Sequence, residues 1–175
     1  MRSKNWKISA SQSACVFLSI LAAFSAHSEL VSGYVFSVHD GDTITLQTET
    51  ATKKIRLAGI DAPELKQPYG FESRDALRQD ILSQQVTVDT NKTDKYGRSV
   101  GKIMLNGEDI NLKQLSRGMA WVYTDYIKEL SAEDQGLYKA AEKTANDDHI
   151  GLWLDDQPVA PWTYRVQTRQ MKAQK

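Results

Sequence analysis

Residues 30–60 alternate apolar and polar side chains with a period of two, in three successive stretches. The first, residues 30–38, is rich in Val, Tyr and Phe. The second, Thr43-Ile44-Thr45-Leu46-Gln47, alternates strictly. The third, Lys53-Lys54-Ile55-Arg56-Leu57-Ala58-Gly59-Ile60, sets Arg56 on the face opposite Ile55 and Leu57. Pro68 then opens a stretch of helical period to Gln84, with Leu77 and Ile81 one turn apart. Two more strands are expected at residues 86–88 and 100–105, closed by the turn Asn106-Gly107. Residues 110–117 read as a short helix stopped by Gly118. Ser131-Ala132-Glu133-Asp134 resembles a capping box for a last helix with Leu137, Ala141 and Ala145 on one face.

Five strands with a helix between the third and fourth give an α+β, mainly β chain. This is the element order of a five-stranded barrel of the oligonucleotide/oligosaccharide-binding type, here with three helices. One domain is expected over residues 29–154, and residues 155–175 read as a polar, loosely held tail. With 41% apolar residues and 22 basic against 22 acidic side chains, the chain is neither a disordered acidic protein nor a polytopic membrane protein. The zero balance also disfavours non-specific coating of nucleic acid, while leaving room for local basic grooves.

Residues 1–28 are written differently. Arg2, Lys4 and Lys7 precede an apolar run from Ala14 to Phe24, and Ala26-His27-Ser28 suits the small-x-small cleavage rule. The run falls short of the roughly 20 residues a bilayer span needs, so a signal peptide over 1–28 is expected. Export to the periplasm or medium would follow, with no membrane span after cleavage. Losing those three cations leaves 19 basic against 22 acidic residues, a net charge of −3. The single cysteine, Cys15, would also be lost, which excludes disulfides and thiolate metal sites from the mature chain.

Three constellations carry chemistry. Asp40-Gly41-Asp42-Thr43 places two carboxylates on one side of an extended backbone, although the same residues also make an ordinary hairpin turn. Arg56-Leu57-Ala58-Gly59-Ile60-Asp61-Ala62-Pro63-Glu64 delivers an arginine and then two carboxylates around a proline that fixes the backbone. If Asp42, Asp61 and Glu64 meet, each pair ~4 Å apart repels by about 4 kcal/mol at an effective dielectric of ~20. A cation or a protonated member would relieve that repulsion. Oxygen ligands suit a hard cation, Ca²⁺ or Mg²⁺. His39, beside Asp40, is either catalytic or merely exposed. The third constellation, Asn91-Lys92-Thr93-Asp94-Lys95-Tyr96-Gly97-Arg98 with Lys102 beyond it, holds four basic residues and one acid. Arg98 after a glycine, with Tyr96 before it, suits a phosphate clamp beside a stacking platform.

Together these segments resemble the three motifs of the staphylococcal nuclease (thermonuclease) family. Gly118-Met119-Ala120 and Gly151-Leu152-Trp153 resemble its later landmarks, so the likeness covers residues 30–153. It implies a Ca²⁺-dependent nuclease that hydrolyses DNA and RNA with little sugar specificity and leaves 3′-phosphates. By the resemblance, Asp42, Asp61 and the backbone carbonyl of Ala62 are calcium ligands, and Asp40 acts through water. Glu64 positions the attacking water, while Arg56 and Arg98 hold the phosphate. Lys95, Tyr96 and Tyr123 are substrate contacts, with Trp121 and Tyr126 competing with Tyr123 for the stacking role. A monomer without a protein partner is implied. The segment from Glu64 to Tyr69 is short for the family, so its mobile surface loop is mostly missing. The alternative is a catalytically inactive nucleic-acid-binding barrel, whose mark would be eroded carboxylates or arginines. None is eroded here.

Overall fold

The structure, a computed structural model, describes residues 29–174. The proposed signal peptide lies outside the described residues. Strands β1 (Glu29–Asp40), β2 (Thr43–Gln47) and β3 (Thr52–Leu57) form an antiparallel meander. β5 (Gln85–Thr93) pairs with β1, and β6 (Ser99–Leu105) pairs with β5. The sheet closes where β3 runs parallel to β6, Arg56 opposite Val100. Closure leaves no free edge between these five strands and encloses one core: Val35, Ile44, Leu46, Ile55, Val88 and Ile103 are all buried.

Helix α1 (Gly70–Ile81) covers one end of the barrel with Leu77 and Ile81, the one-turn pair expected from the sequence. It begins two residues later than the pattern suggests, because Tyr69 takes a left-handed φ of 65°. Gln67 N donates to Glu64 O and Gly70 N to Gln67 O, so residues 64–70 are tightly turned rather than a long loop. The two-residue strand β4 (Ile60–Asp61) pairs with β8 (Trp121–Val122), and β7 (Glu108–Asp109) turns back to pair antiparallel with the end of β6. Helix α2 (Ile110–Ser116) follows and is capped by Asp109.

In α3 (Ala132–Asp147) the Ser131 side chain accepts from Asp134 N, as the capping pattern requires. Its buried face differs from expectation. Tyr138 and Ala145 are buried and Ala141 packs on the core, but Leu137 is half exposed. Tyr138 wins the inward place because its ring fills the core while its hydroxyl donates to Asp109 Oδ2 at 3.0 Å.

The polar tail forms a fourth helix, α4 (Pro161–Ala173), with buried Pro161 at its first turn. It docks through side chains, not periodicity. Tyr164 Oη donates to Lys66 O at 3.0 Å, Gln67 Nε2 donates to Val159 O, and Trp162 stacks on Tyr123. Among the described residues no helix is long and apolar enough to cross a membrane.

Candidate active site

Asp40, Asp42, Arg56, Asp61, Ala62, Glu64, Lys95, Tyr96, Arg98 and Tyr123 all line one cleft of about 670 Å³ at the barrel rim, whereas His39, Trp121 and Lys102 do not. Its first wall is the β1–β2 hairpin. Asp40 pairs with Thr43, so Gly41-Asp42 is the two-residue turn, and the hairpin and the site are the same residues. Gly41 is required there, since a Cβ would overlap Ser73 Oγ on α1 and approach Ala62 Cβ to 2.7 Å. From beneath, Gln114 of α2 donates to Gly41 O at 2.9 Å and to Ser73 O at 3.2 Å.

This close packing buries Asp42, only 5% exposed. Its Oδ1 accepts from Thr43 Oγ1 at 3.0 Å, and its Oδ2 accepts from Ala62 N at 2.7 Å. The second bond ties the first motif to the second across the rim. Asp40 is half-buried and accepts from Asp42 N at 3.2 Å. Burial, and then the charge of Asp42, pushes its carboxyl up to about 7.

Arg56 enters from β3, opposite Thr43. Its Nη1 lies 3.1 Å from Asp42 Oδ2 and its Nη2 lies 2.8 Å from Asp61 Oδ1, so one guanidinium joins both carboxylates. Asp61 is fixed by its pairing with Trp121 and is fully buried. Burial pushes its carboxyl up, against hydrogen bonding from Arg165, and the charge of Asp42 adds to the rise. Glu64, just past Pro63, is half-buried and the most accessible of the acceptors around Arg56 and Arg165, with Oε1 3.0 Å from Arg165 Nη1.

The opposite wall is the β5–β6 turn. Asp94 organises it by accepting from Tyr96 N at 2.9 Å, Arg98 N at 3.0 Å and Arg98 Nε at 2.7 Å. The last bond engages the guanidinium through Nε. Arg98 and Lys95 both sit over the Tyr96 ring, which is 71% exposed. The basic patch is more neutral than its sequence. Lys92 pairs with Glu129, Lys102 with Asp134 at 2.9 Å, and Arg98 with Asp94.

The competing aromatics separate by position. Trp121 is buried against Trp153, with ring centroids 5.3 Å apart, which is ordinary packing. Tyr123 and Tyr126 line the cleft 4.7 Å apart, and Lys92 lies over the Tyr126 ring. His39 is exposed and hydrogen-bonded to Thr45 Oγ1, and it does not line the cleft.

Sequence reasoning missed Arg165. Its Nη2 lies 2.7 Å from Asp61 Oδ2, and together Arg165 and Arg56 are the counter-ions that offset the carboxylate repulsion. Burial would weaken its hold on the proton, but Asp61 and Glu64 outweigh that and keep it charged. Arg169, one turn on, also lines the cleft. The available signal was Pro161 followed by arginines four residues apart in the tail.

Among the described residues no group of three or more His, Cys, Asp or Glu side chains stands ready-made to hold a metal. The donors nonetheless suit a hard divalent cation. Asp40, Asp42 and Asp61 offer oxygen only, and burial together with the charge of Asp42 raises the carboxyls of Asp40 and Asp61. The fit has one condition: the oxygens of Asp61 now face two guanidiniums.

Carboxylates and guanidiniums gathered at one rim of a closed five-stranded barrel define a phosphodiester-hydrolase type of site. The model of the staphylococcal nuclease homologue family matches residues 54–155. Protein ParB of Escherichia coli is 32% identical over 161 residues, covering 87% of this chain and 89% of that protein. An uncharacterized endonuclease of Escherichia coli O157:H7 is 35% identical over 136 residues, or 77% of this chain and 85% of its own. Micrococcal nuclease of Shigella flexneri is 35% identical over 142 residues, or 76% and 79%. The chain belongs to the staphylococcal nuclease family, and with it to the nucleases.

Proposed function

We propose that the protein is an exported, calcium-dependent nuclease that cleaves DNA and RNA with little regard to the sugar and leaves 3′-phosphates. The observation that carries this reading is the convergence of Asp40, Asp42, Asp61 and Glu64 with Arg56 and Arg98 in one cleft. An inert binding barrel has no need of that combination.

Asp42 and Asp61, with the backbone carbonyl of Ala62, would hold the cation, and Asp40 would act through water. When bound, Ca²⁺ supplies positive charge to a non-bridging phosphate oxygen. The chain's own residues do the rest. Arg56, held by two buried carboxylates, and Arg98, held by Asp94 through Nε, present fixed positive charge to the phosphate. Fixed donors cost no reorganisation as the five-coordinate transition state forms. Glu64, half-buried at the cleft and paired with Arg165, takes a proton from the attacking water. The new bond is water oxygen to phosphorus, and the broken one is phosphorus to the 5′ oxygen. That oxygen leaves with a proton from solvent.

Tyr96 offers an exposed aromatic face in the cleft with Lys95 beside it, and Tyr123 lines the same cleft with its ring stacked on Trp162. Stacking on a ring and gripping of phosphate both ignore the 2′ position, which fits action on DNA and RNA alike. Export rests on residues 1–28 and is tested by the N-terminal sequence of the mature protein. The activity is tested by release of acid-soluble nucleotides from both nucleic acids, with 3′-phosphate ends on the products.

A further inference from the structure

The family match ends at residue 155, yet α4, beyond it, reaches into the site. Arg165 spans two carboxylates: Nη2 to Asp61 Oδ2 at 2.7 Å, Nη1 to Asp61 Oδ1 at 3.2 Å and Nη1 to Glu64 Oε1 at 3.0 Å. With Arg56 Nη2 on Asp61 Oδ1, every oxygen of Asp61 is engaged by a guanidinium. The helix that carries Arg165 is fastened on both flanks. Tyr164 bonds Lys66 O on one side, and Trp162 stacks on Tyr123 on the other, its ring 5.9 Å away and nearly parallel at 4°.

Asp61 already carries two guanidiniums, and a divalent cation would be a third positive group on the same carboxylate. A guanidinium and a divalent cation repel strongly at a few ångströms in a half-buried cleft. Arg165 also occupies Glu64, the residue read above as receiving the water's proton. We infer that α4 is a latch: Arg165 holds Asp61 and Glu64 in place of the divalent cation, and cation loading requires Arg165 to let go and α4 to shift. The latch keeps the carboxylates assembled when no cation is present, because Arg165 neutralises charge that would otherwise force them apart. Its contacts are few and lie on a peripheral helix, so it can open without disturbing the barrel. The inference rests on the cation reading proposed above.

The test is calorimetric titration of the full mature chain with calcium alone, without nucleic acid. Arg165→Gln is expected to bind calcium about tenfold more tightly than the unsubstituted protein, the equivalent of one charge-assisted hydrogen bond. Tyr164→Phe, which loosens α4 without touching a carboxylate, is expected to shift affinity the same way by less, and it serves if Arg165→Gln does not fold. Calcium should also change tryptophan fluorescence in the unsubstituted protein, and Trp162→Phe should lose that change. Equal or weaker calcium binding by Arg165→Gln overturns the latch and leaves the cation reading intact. Failure of every variant and the unsubstituted protein to bind calcium overturns both.

Discussion

Gln114 Nε2 donates to the carbonyl oxygen of Gly41 at 2.9 Å, joining residues 73 positions apart. The same amide nitrogen reaches Ser73 O, so one buried side chain ties α2 to α1 and to the turn that carries Asp40 and Asp42. Gln114→Leu keeps the volume and deletes both bonds, leaving the Gly41 carbonyl without its donor while Ser73 O keeps its partner in the α1 ladder. We expect a loss of about 1–3 kcal/mol in stability, the cost of one unpartnered buried carbonyl. Activity per folded molecule should fall as well, because the turn loses its support. Urea denaturation beside a rate measurement checks both. A variant less stable but fully active would show that the turn does not depend on Gln114.

Asp42 and Arg98 act on opposite sides of the cleft, and their variants should fail differently. On the proposed reading Asp42→Asn removes a charged ligand, so calcium affinity should fall and added Ca²⁺ should restore part of the rate. Arg98→Ala leaves the carboxylates untouched, so calcium dependence should stay near normal. Its rate should drop about 10²-fold or more, as when one preorganised donor is removed, and calcium should not restore it. Calcium titration of the rate, with circular dichroism for folding, distinguishes the two.

Glu142 of α3 accepts from Val122 N at 2.7 Å and so braces the strand that pairs with β4. Burial raises its pKa, against the pull of that hydrogen bond. Because the folded value lies above the unfolded one, its favourable contribution is complete below pH 4.5 and is lost as pH rises through the folded pKa. Glu142→Gln can keep the bond without the charge. The melting temperature of this variant should exceed that of the parent at pH 7, and the gap should close toward pH 4. A gap that stays constant with pH would mean that the carboxylate does not titrate in this way.

Much of the barrel could be read from the sequence because its signals are local. Period-two alternation places β1 to β3, and the Asp40–Thr43 and Arg56–Glu64 segments mark the rim where those strands end. The partners of the charged groups could not be read this way. Arg56 suggests a phosphate grip, and only the register of β2 on β3 shows that it also bridges Asp42 and Asp61. The inward place of Tyr138 rather than Leu137 turns on a hydroxyl meeting Asp109 across 29 positions. Most distant of all, α4 is attached by hydrogen bonds and ion pairs to residues about a hundred positions earlier and by the stack of Trp162 on Tyr123. No periodicity encodes such contacts.

The most direct measurement is acid-soluble nucleotide release from DNA and from RNA by the protein, with calcium and with a calcium chelator. The account predicts release from both nucleic acids in calcium, loss in the chelator, and recovery when calcium is added back. Release that continues unchanged in the chelator would contradict the calcium-dependent mechanism, and no release from either nucleic acid under any condition would contradict the nuclease itself.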